Sequence, residues 1–232
     1  QVKESKLPNV GTTIFSVMSK MAAEYGAINL SQGFPDFDCP PRLRELVAQH
    51  VNSGKNQYPP MHGIPELREA IAEKVMRLYD YAANPETEVT VTSGATEALF
   101  DAIQATVGPG DEVIVFDPAY DCYDPAIRLA GAKAIHLPLT LPDYKIDFAK
   151  LALALNARTR LLIINTPHNP CGSVMSREDL DALAALLRDR DILLLSDEVY
   201  EHMVFDGAQH ISVLSHAELR EKSFAVFSFG KT

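Results

Sequence analysis

The sequence predicts an α/β protein built on a mainly parallel sheet with helices on both faces, and three observations carry that expectation. Short apolar runs rich in Val, Ile and Leu recur between residues 88 and 229. Stretches with helical spacing of their apolar positions fill most of the gaps between them. Polar residues suited to chemistry gather where the runs end. Alternating strands and helices are the pattern of a parallel sheet with helical crossovers.

The elements follow in order. Thr12 and Thr13 precede a helical stretch that ends near Gly26, and the segment INLSQGFPDFDCP reads as a loop. Pro41 stands where proline opens a helix and Gly54 where glycine closes one. Pro65 opens another, with Leu67, Ile71, Val75 and Leu78 on one face. The predicted strands are EVTVT (88–92), EVIVF (112–116), KAIHL (133–137), RLLIIN (160–165), DILLLS (191–196) and FAVFSF (224–229). Ser176 and Asp179 form S-x-x-D ahead of an apolar-periodic stretch, a helix N-terminus signature.

Composition narrows the function. The 232 residues allow one large domain or two small ones, and 47% apolar content is enough for a sizeable core. Asp and Glu (31) outnumber Lys and Arg (21), giving a net charge of −10. A nucleic-acid binder shows the reverse balance, so no nucleic-acid partner is expected. Three dispersed cysteines without metal-type spacing favour a reduced, cytoplasmic setting over a disulfide framework. The first residues lack the apolar stretch of a signal peptide, and no apolar run is long enough to span a bilayer, so no membrane association is expected. The chain starts without Met and stops at Thr232, which fits a fragment of a longer protein.

Several polar residues fall at the carboxyl ends of predicted strands, where open α/β sheets form their ligand crevice. TSGATEALF (92–100) would set Ser93, Gly94, Ala95 and Thr96 at a helix N-terminus, either a phosphate site or a capped helix with a glycine turn. NTPHNPCG (165–172) reads as a tight turn, or as a loop aiming the Asn165 and Asn169 amides into the crevice. In SDEVYEH, Asp197 follows an apolar strand, and a carboxylate buried there needs a cation. Glu198 is expected to point elsewhere. Lys231 in SFGKT, taken alone, reads as a solvated surface lysine rather than a catalytic one. No H-E-x-x-H and no G-x-S-x-G is present, so neither a zinc site nor a hydrolase elbow is predicted, and no metal is expected. His168 is given a supporting role.

The order of TSGAT, D-P-A-Y, N-T-P-H-N-P, S-D-E-V-Y and S-F-G-K-T resembles the class I/II aminotransferases of pyridoxal-phosphate (PLP) fold type I. With SQGFPDF, Q-Y, D-C-Y and DEVYEH, it resembles most the kynurenine–oxoglutarate, glutamine-phenylpyruvate and methionine aminotransferase subgroup. The resemblance implies that Lys231 holds PLP as a Schiff base and moves the proton from the substrate. It implies that Asp197 pairs with the pyridinium nitrogen, and that Asn169 and Tyr200 bond the phenolate oxygen. Tyr120, where relatives often carry Phe, would stack on the ring. Gly94, Ala95, Thr96 and Ser228 would bind the phosphate, with Tyr58 reaching it from the neighbouring subunit of a homodimer. Gly33 and Asn165 would hold the substrate carboxylate, and Ile14 and Phe15 would line an apolar pocket. Residues 1–32 would form an arm and the start of a small domain, and residues 33–232 the PLP-binding large domain. The family's carboxylate-binding arginines would lie downstream of Thr232, in a C-terminal small domain.

The implied reaction moves an amino group from methionine or an aromatic amino acid, with kynurenine or glutamine as further donors, to a 2-oxo acid. Carbon–sulfur β-lyases of the same fold share N-x-x-N-P but usually carry His where this chain has Tyr200, so Tyr200 favours transamination. An aminotransferase-like regulatory domain would need a basic DNA-binding segment, and the acidic balance argues against one.

Overall fold

The computed structural model describes residues 4–33 and 35–231. Phe34 of SQGFPDF and Thr232 of SFGKT therefore lie outside the described residues. Two compact units divide the chain: one spans Pro8–Ile64 and the other takes in the rest of the described residues.

The Pro8–Ile64 unit holds two helices. α1 (Ile14–Glu24) starts at Thr13, whose hydroxyl accepts the Ser16 N–H at 3.4 Å. α2 (Pro41–Asn52) begins with proline, whose missing N–H costs nothing in a first turn, and Gly54 follows its end at φ +82°. Both helices lie where the Pro, Thr and Gly signals put them.

In the larger unit, α3 (Pro65–Tyr79) buries Val75 and Tyr79, whereas Leu78 is exposed. The buried stripe follows the i, i+4 spacing from Ile71 through Val75 to Tyr79, not the expected step to Leu78. Five strands form one parallel sheet: β1 (Glu112–Asp117), β2 (Lys133–Pro138), β3 (Thr159–Asn165), β4 (Leu193–Asp197) and β5 (Ser223–Val226), in the order β2-β1-β3-β4-β5. The expected strand at 88–92 is absent among the described residues. Its Val/Thr alternation suits a strand, but a strand also needs a neighbour for its backbone groups. The sheet ends at β2 and β5, and neither pairs with this segment.

The period-2 alternation of the strands sorts side chains onto two covered faces. Val113, Val115, Leu161, Ile163 and Leu195 pack with α4 (Ala95–Thr106) and α5 (Tyr123–Leu129). Ile114, Phe116, Leu162, Ile164 and Leu194 pack with α6 (Phe148–Ala154), α7 (Arg177–Leu187) and α8 (Ala217–Arg220). Fully burying one such side chain contributes about 1.5–3 kcal/mol, so this two-sided core dominates stability. α7 is set by the predicted cap: the Ser176 hydroxyl accepts the Asp179 N–H at 3.2 Å, and the Asp179 carboxylate accepts the Ser176 N–H at 2.8 Å. From β1 the chain steps outward to β2, then returns across β1 to β3, β4 and β5. The winding reverses between β1 and β3, so a crevice is expected outside their carboxyl ends.

Candidate active site

Alternation along β4 sends Leu195 and Asp197 to the α4/α5 face, and Leu194 and Ser196 to the other. Asp197 is only 3% exposed. Its Oδ2 accepts the Tyr123 hydroxyl at 2.5 Å, and its Oδ1 accepts the Val199 N–H at 3.4 Å. Burial pushes the Asp197 carboxyl above the usual carboxylate range, while these two hydrogen bonds pull it back. Among the described residues, no lysine, arginine or histidine forms an ion pair with it. A buried carboxylate supported only by neutral donors is poised for a cation.

The end of β3 is tied to the same place. Asn165 sits opposite Asp197 in the sheet register and donates from Nδ2 to the Asp197 carbonyl at 2.9 Å. Its Oδ1 accepts the Asn169 N–H at 2.7 Å, so one side chain joins the following turn to β4. Asn169 Nδ2 donates over 3.5 Å to the Tyr200 hydroxyl. His168 accepts the Cys171 N–H at Nδ1 over 3.4 Å, and burial holds its imidazole below the ordinary pKa. Its ring thus braces the turn through that contact.

Gly94 stands ahead of α4 at φ +85°, ψ +164°, a conformation essentially reserved for glycine. No side chain caps α4, so the N–H groups of its first turn remain available to an anion. After β5, the Ser228 hydroxyl accepts the Gly230 N–H at 3.1 Å, and the Lys231 ammonium lies 5.6 Å from the centre of the Tyr200 ring. After β1 comes Tyr120, edge-on to Tyr123 at 5.9 Å, its phenol pushed up by burial.

These groups converge. Ala95, Thr96, Tyr120, Asn165, Asn169, Asp197, Tyr200, Ser228 and Lys231 line one cavity of about 120 Å³, with Leu99 and Val199 as its apolar members. Gly94 adjoins it as the residue that starts α4. Gly33, Ile14, Phe15 and Tyr58 belong to the Pro8–Ile64 unit, where Ile14 and Tyr58 are exposed. Glu198 points away, as expected: it is buried on the opposite face against His210 at 2.7 Å, Ser196 at 2.8 Å and the Val213 N–H at 3.1 Å. Tyr123 is the residue that sequence reasoning missed. The D-C-Y triplet marked it, but its hydroxyl meets Asp197 only through the fold, 74 positions away.

The donor set suits a planar, anionic, cationic-ring ligand. Lys231 offers a primary amine, Asp197 an unpaired anion, Tyr120 an aromatic face and α4 a set of free N–H groups.

Comparison with known proteins agrees with that arrangement. The description "Aminotransferase class I and II" matches residues 25–232. A methionine aminotransferase of Escherichia coli is 52% identical over 231 residues, covering 100% of this chain and 60% of that protein. Human kynurenine–oxoglutarate transaminase 1 is 37% identical over 246 residues, covering 100% of this chain and 58% of that protein. Among solved structures, an E. coli protein with a methionine aminotransferase function superposes with a TM-score of 0.95 at 51% identity, over 100% of this chain and 60% of its own. Aspartate aminotransferase from Thermus thermophilus with maleate gives 0.89 at 35% identity, over 98% and 60%. The chain thus spans about three-fifths of the length of these relatives. The parallel sheet, the convergent cavity and the match along residues 25–232 agree: this chain belongs to the class I and II aminotransferase family.

Proposed function

We propose that the protein is a PLP-dependent aminotransferase that moves the amino group of methionine or an aromatic amino acid to a 2-oxo acid, with kynurenine and glutamine as further donors. One observation carries the reading: Asp197, buried and without a basic partner, shares a cavity with the Lys231 amine in a chain 52% identical to a methionine aminotransferase. When bound, the cofactor's protonated ring supplies an electron sink for the bond broken at the substrate Cα.

The chain's own residues would do the rest. Lys231 Nζ holds the cofactor and moves the proton taken from the substrate Cα. Asp197 keeps the ring nitrogen protonated, and Tyr123 keeps Asp197 charged and oriented. Asn169 and Tyr200 would donate to the cofactor's ring oxygen, and Tyr120 would offer its aromatic face to the ring. Gly94, Ala95, Thr96 and Ser228 hold the phosphate, and Asn165 the substrate carboxylate. Tyr58 and Gly33 would act from the Pro8–Ile64 unit, Tyr58 toward the partner's phosphate in a homodimer, with Ile14 and Phe15 lining an apolar pocket. On this reading residues 1–32 are the arm and the start of a small domain, and residues 33–232 the cofactor-binding domain. Among the described residues no helix is long and apolar enough to cross a membrane.

The test is borohydride reduction of the full-length, PLP-loaded protein followed by peptide mapping. A pyridoxyl group on Lys231 is expected, and label on another lysine would overturn the assignment.

A further inference from the structure

The turn that carries Tyr200 is anchored by charges that the proposed chemistry does not use. Glu201 is 3% exposed, yet it is fully engaged: Lys74 Nζ and the Tyr79 hydroxyl, both on α3, donate to its two carboxylate oxygens. His202 Nε2 stands 3.8 Å from the same carboxylate. Tyr79 stacks on Phe227 with ring centres 5.8 Å apart, and the Lys74 ammonium lies 5.4 Å from the centre of the Phe227 ring. Burial and the Glu201 carboxylate both push the Tyr79 phenol up, so it stays a donor. Phe227 immediately precedes Ser228, and Glu201 immediately follows Tyr200. The α3 pair therefore grips two exits from the sheet at once. One exit bears Tyr200, and the other bears Ser228 and Lys231.

We propose that Lys74, Tyr79, Glu201 and Phe227 are positioning residues that set the placement of the Tyr200 ring relative to the Lys231 amine. This proposal rests on the reading of the cavity as a PLP site. The physical argument is that a cation over an aromatic face is stabilised only at short range. With the Lys231 nitrogen 5.6 Å from the ring centre, a small drift of the turn removes that support. The network spans α3, the turn after β4 and the segment after β5, so Tyr200 cannot shift alone while it is intact.

The test uses the full-length holoenzyme and reads the pH midpoint of the visible absorption of bound PLP, which reports the charge on the lysine-linked nitrogen. A displaced Tyr200 ring changes both its support of that nitrogen and the hydrogen bond its hydroxyl would give the ring oxygen, so the midpoint should move. In both Glu201→Gln and Tyr79→Phe the expected shift is about half a pH unit or more, in the same direction, with PLP dissociating several-fold faster. Tyr79→Phe keeps the stack on Phe227 and removes only the hydroxyl, so it remains informative if Glu201→Gln folds poorly. The control is Glu112→Gln, which weakens the pairing of the buried Glu112 carboxylate with the exposed Arg158 at the opposite end of the sheet. It should lower the melting temperature of the cofactor-free protein and leave the midpoint unmoved. Variants at Tyr79 and Glu201 that melt earlier with an unchanged midpoint would show a purely structural role and overturn the proposal. A parent protein with no visible band at saturating PLP would instead overturn the functional reading, and the proposal with it.

Discussion

The Tyr123 hydroxyl donates a 2.5 Å hydrogen bond to Oδ2 of Asp197, from the first residue of α5 to the last of β4. Both side chains are buried, and burial first, with the Asp197 carboxylate adding to it, pushes the tyrosine phenol up, so the hydroxyl acts as a donor. A hydrogen bond to a charged group is worth about 1.5–3 kcal/mol, and here it favours the ionised carboxylate. In Tyr123→Phe the carboxyl should therefore be protonated more easily. Transamination should fall about tenfold, and the acid limb of the kcat/KM profile should move to higher pH. A pH–rate series on both proteins checks this, and an unmoved acid limb would remove Tyr123 from the machinery.

Asp197→Asn should separate function from stability. Its folded-state pKa is raised by burial, the reverse of the usual carboxylate case. The protonated form contributes stability that is fully present below the unfolded pKa, near 3.8, and is lost as pH rises through the folded value. As pH rises, burial of this carboxyl thus costs the cofactor-free fold stability relative to the unfolded chain. The amide variant should unfold at a higher denaturant midpoint near pH 7, and the gap should close as pH falls below about 4. Its transamination should drop by roughly a hundredfold or more, because an amide cannot hold the ring nitrogen protonated. Near parental turnover would make the carboxylate a structural group.

How much of this was legible in the sequence depends on the range of the interaction. The capping box of α7 and the Pro and Gly limits of α2 are local, and the structure has them where the residues promise. Asp197 was readable because a carboxylate closing an apolar strand is costly unless something meets it. What meets it was not: Tyr123 is 74 residues away, and Glu201 reaches Lys74 across 127. No periodicity encodes such pairings. The segment 88–92 shows the converse failure, since its alternation is right for a strand but strand formation requires a paired neighbour. Leu78 and Tyr79 differ by one helical step, and packing decided which was buried.

A homodimer with Tyr58 acting across the interface is expected. Tyr58 is fully exposed and lies in a loop between α2 and α3. Lys231→Ala and Tyr58→Phe subunits are each defective on this reading. Mixed, they form hybrids in which one cavity has an intact lysine and receives an intact tyrosine from its partner. Activity of the mixture should exceed that of either variant alone by several-fold. Activity in a sample that sediments only as a monomer would refute it.

The proposed choice of amino donor rests on the expected apolar pocket. In the proposed reading the substrate side chain meets Ile14 and Phe15, and the arm around them offers no charged side chain nearby: Val10, Gly11, Thr12, Thr13, Ser16 and Val17 flank the pair. An apolar wall discriminates weakly among apolar donors, since one methylene is worth only about 1–3 kcal/mol. Methionine, phenylalanine and kynurenine should therefore be accepted within about a hundredfold of one another, methionine best, with glutamine weaker. A second carboxylate has no such latitude, because its desolvation would go uncompensated against these residues. Aspartate should be the poorest of the set, although the fold is shared with a T. thermophilus aspartate aminotransferase. The measurement is kcat/KM for the five donors with the full-length enzyme and a common 2-oxo acid. Aspartate as the best donor would refute the pocket argument. Ammonia and a thiol released from cystathionine, with no amino transfer, would assign the chemistry to a β-lyase, and Tyr200 would then lose its significance as the mark of a transaminase.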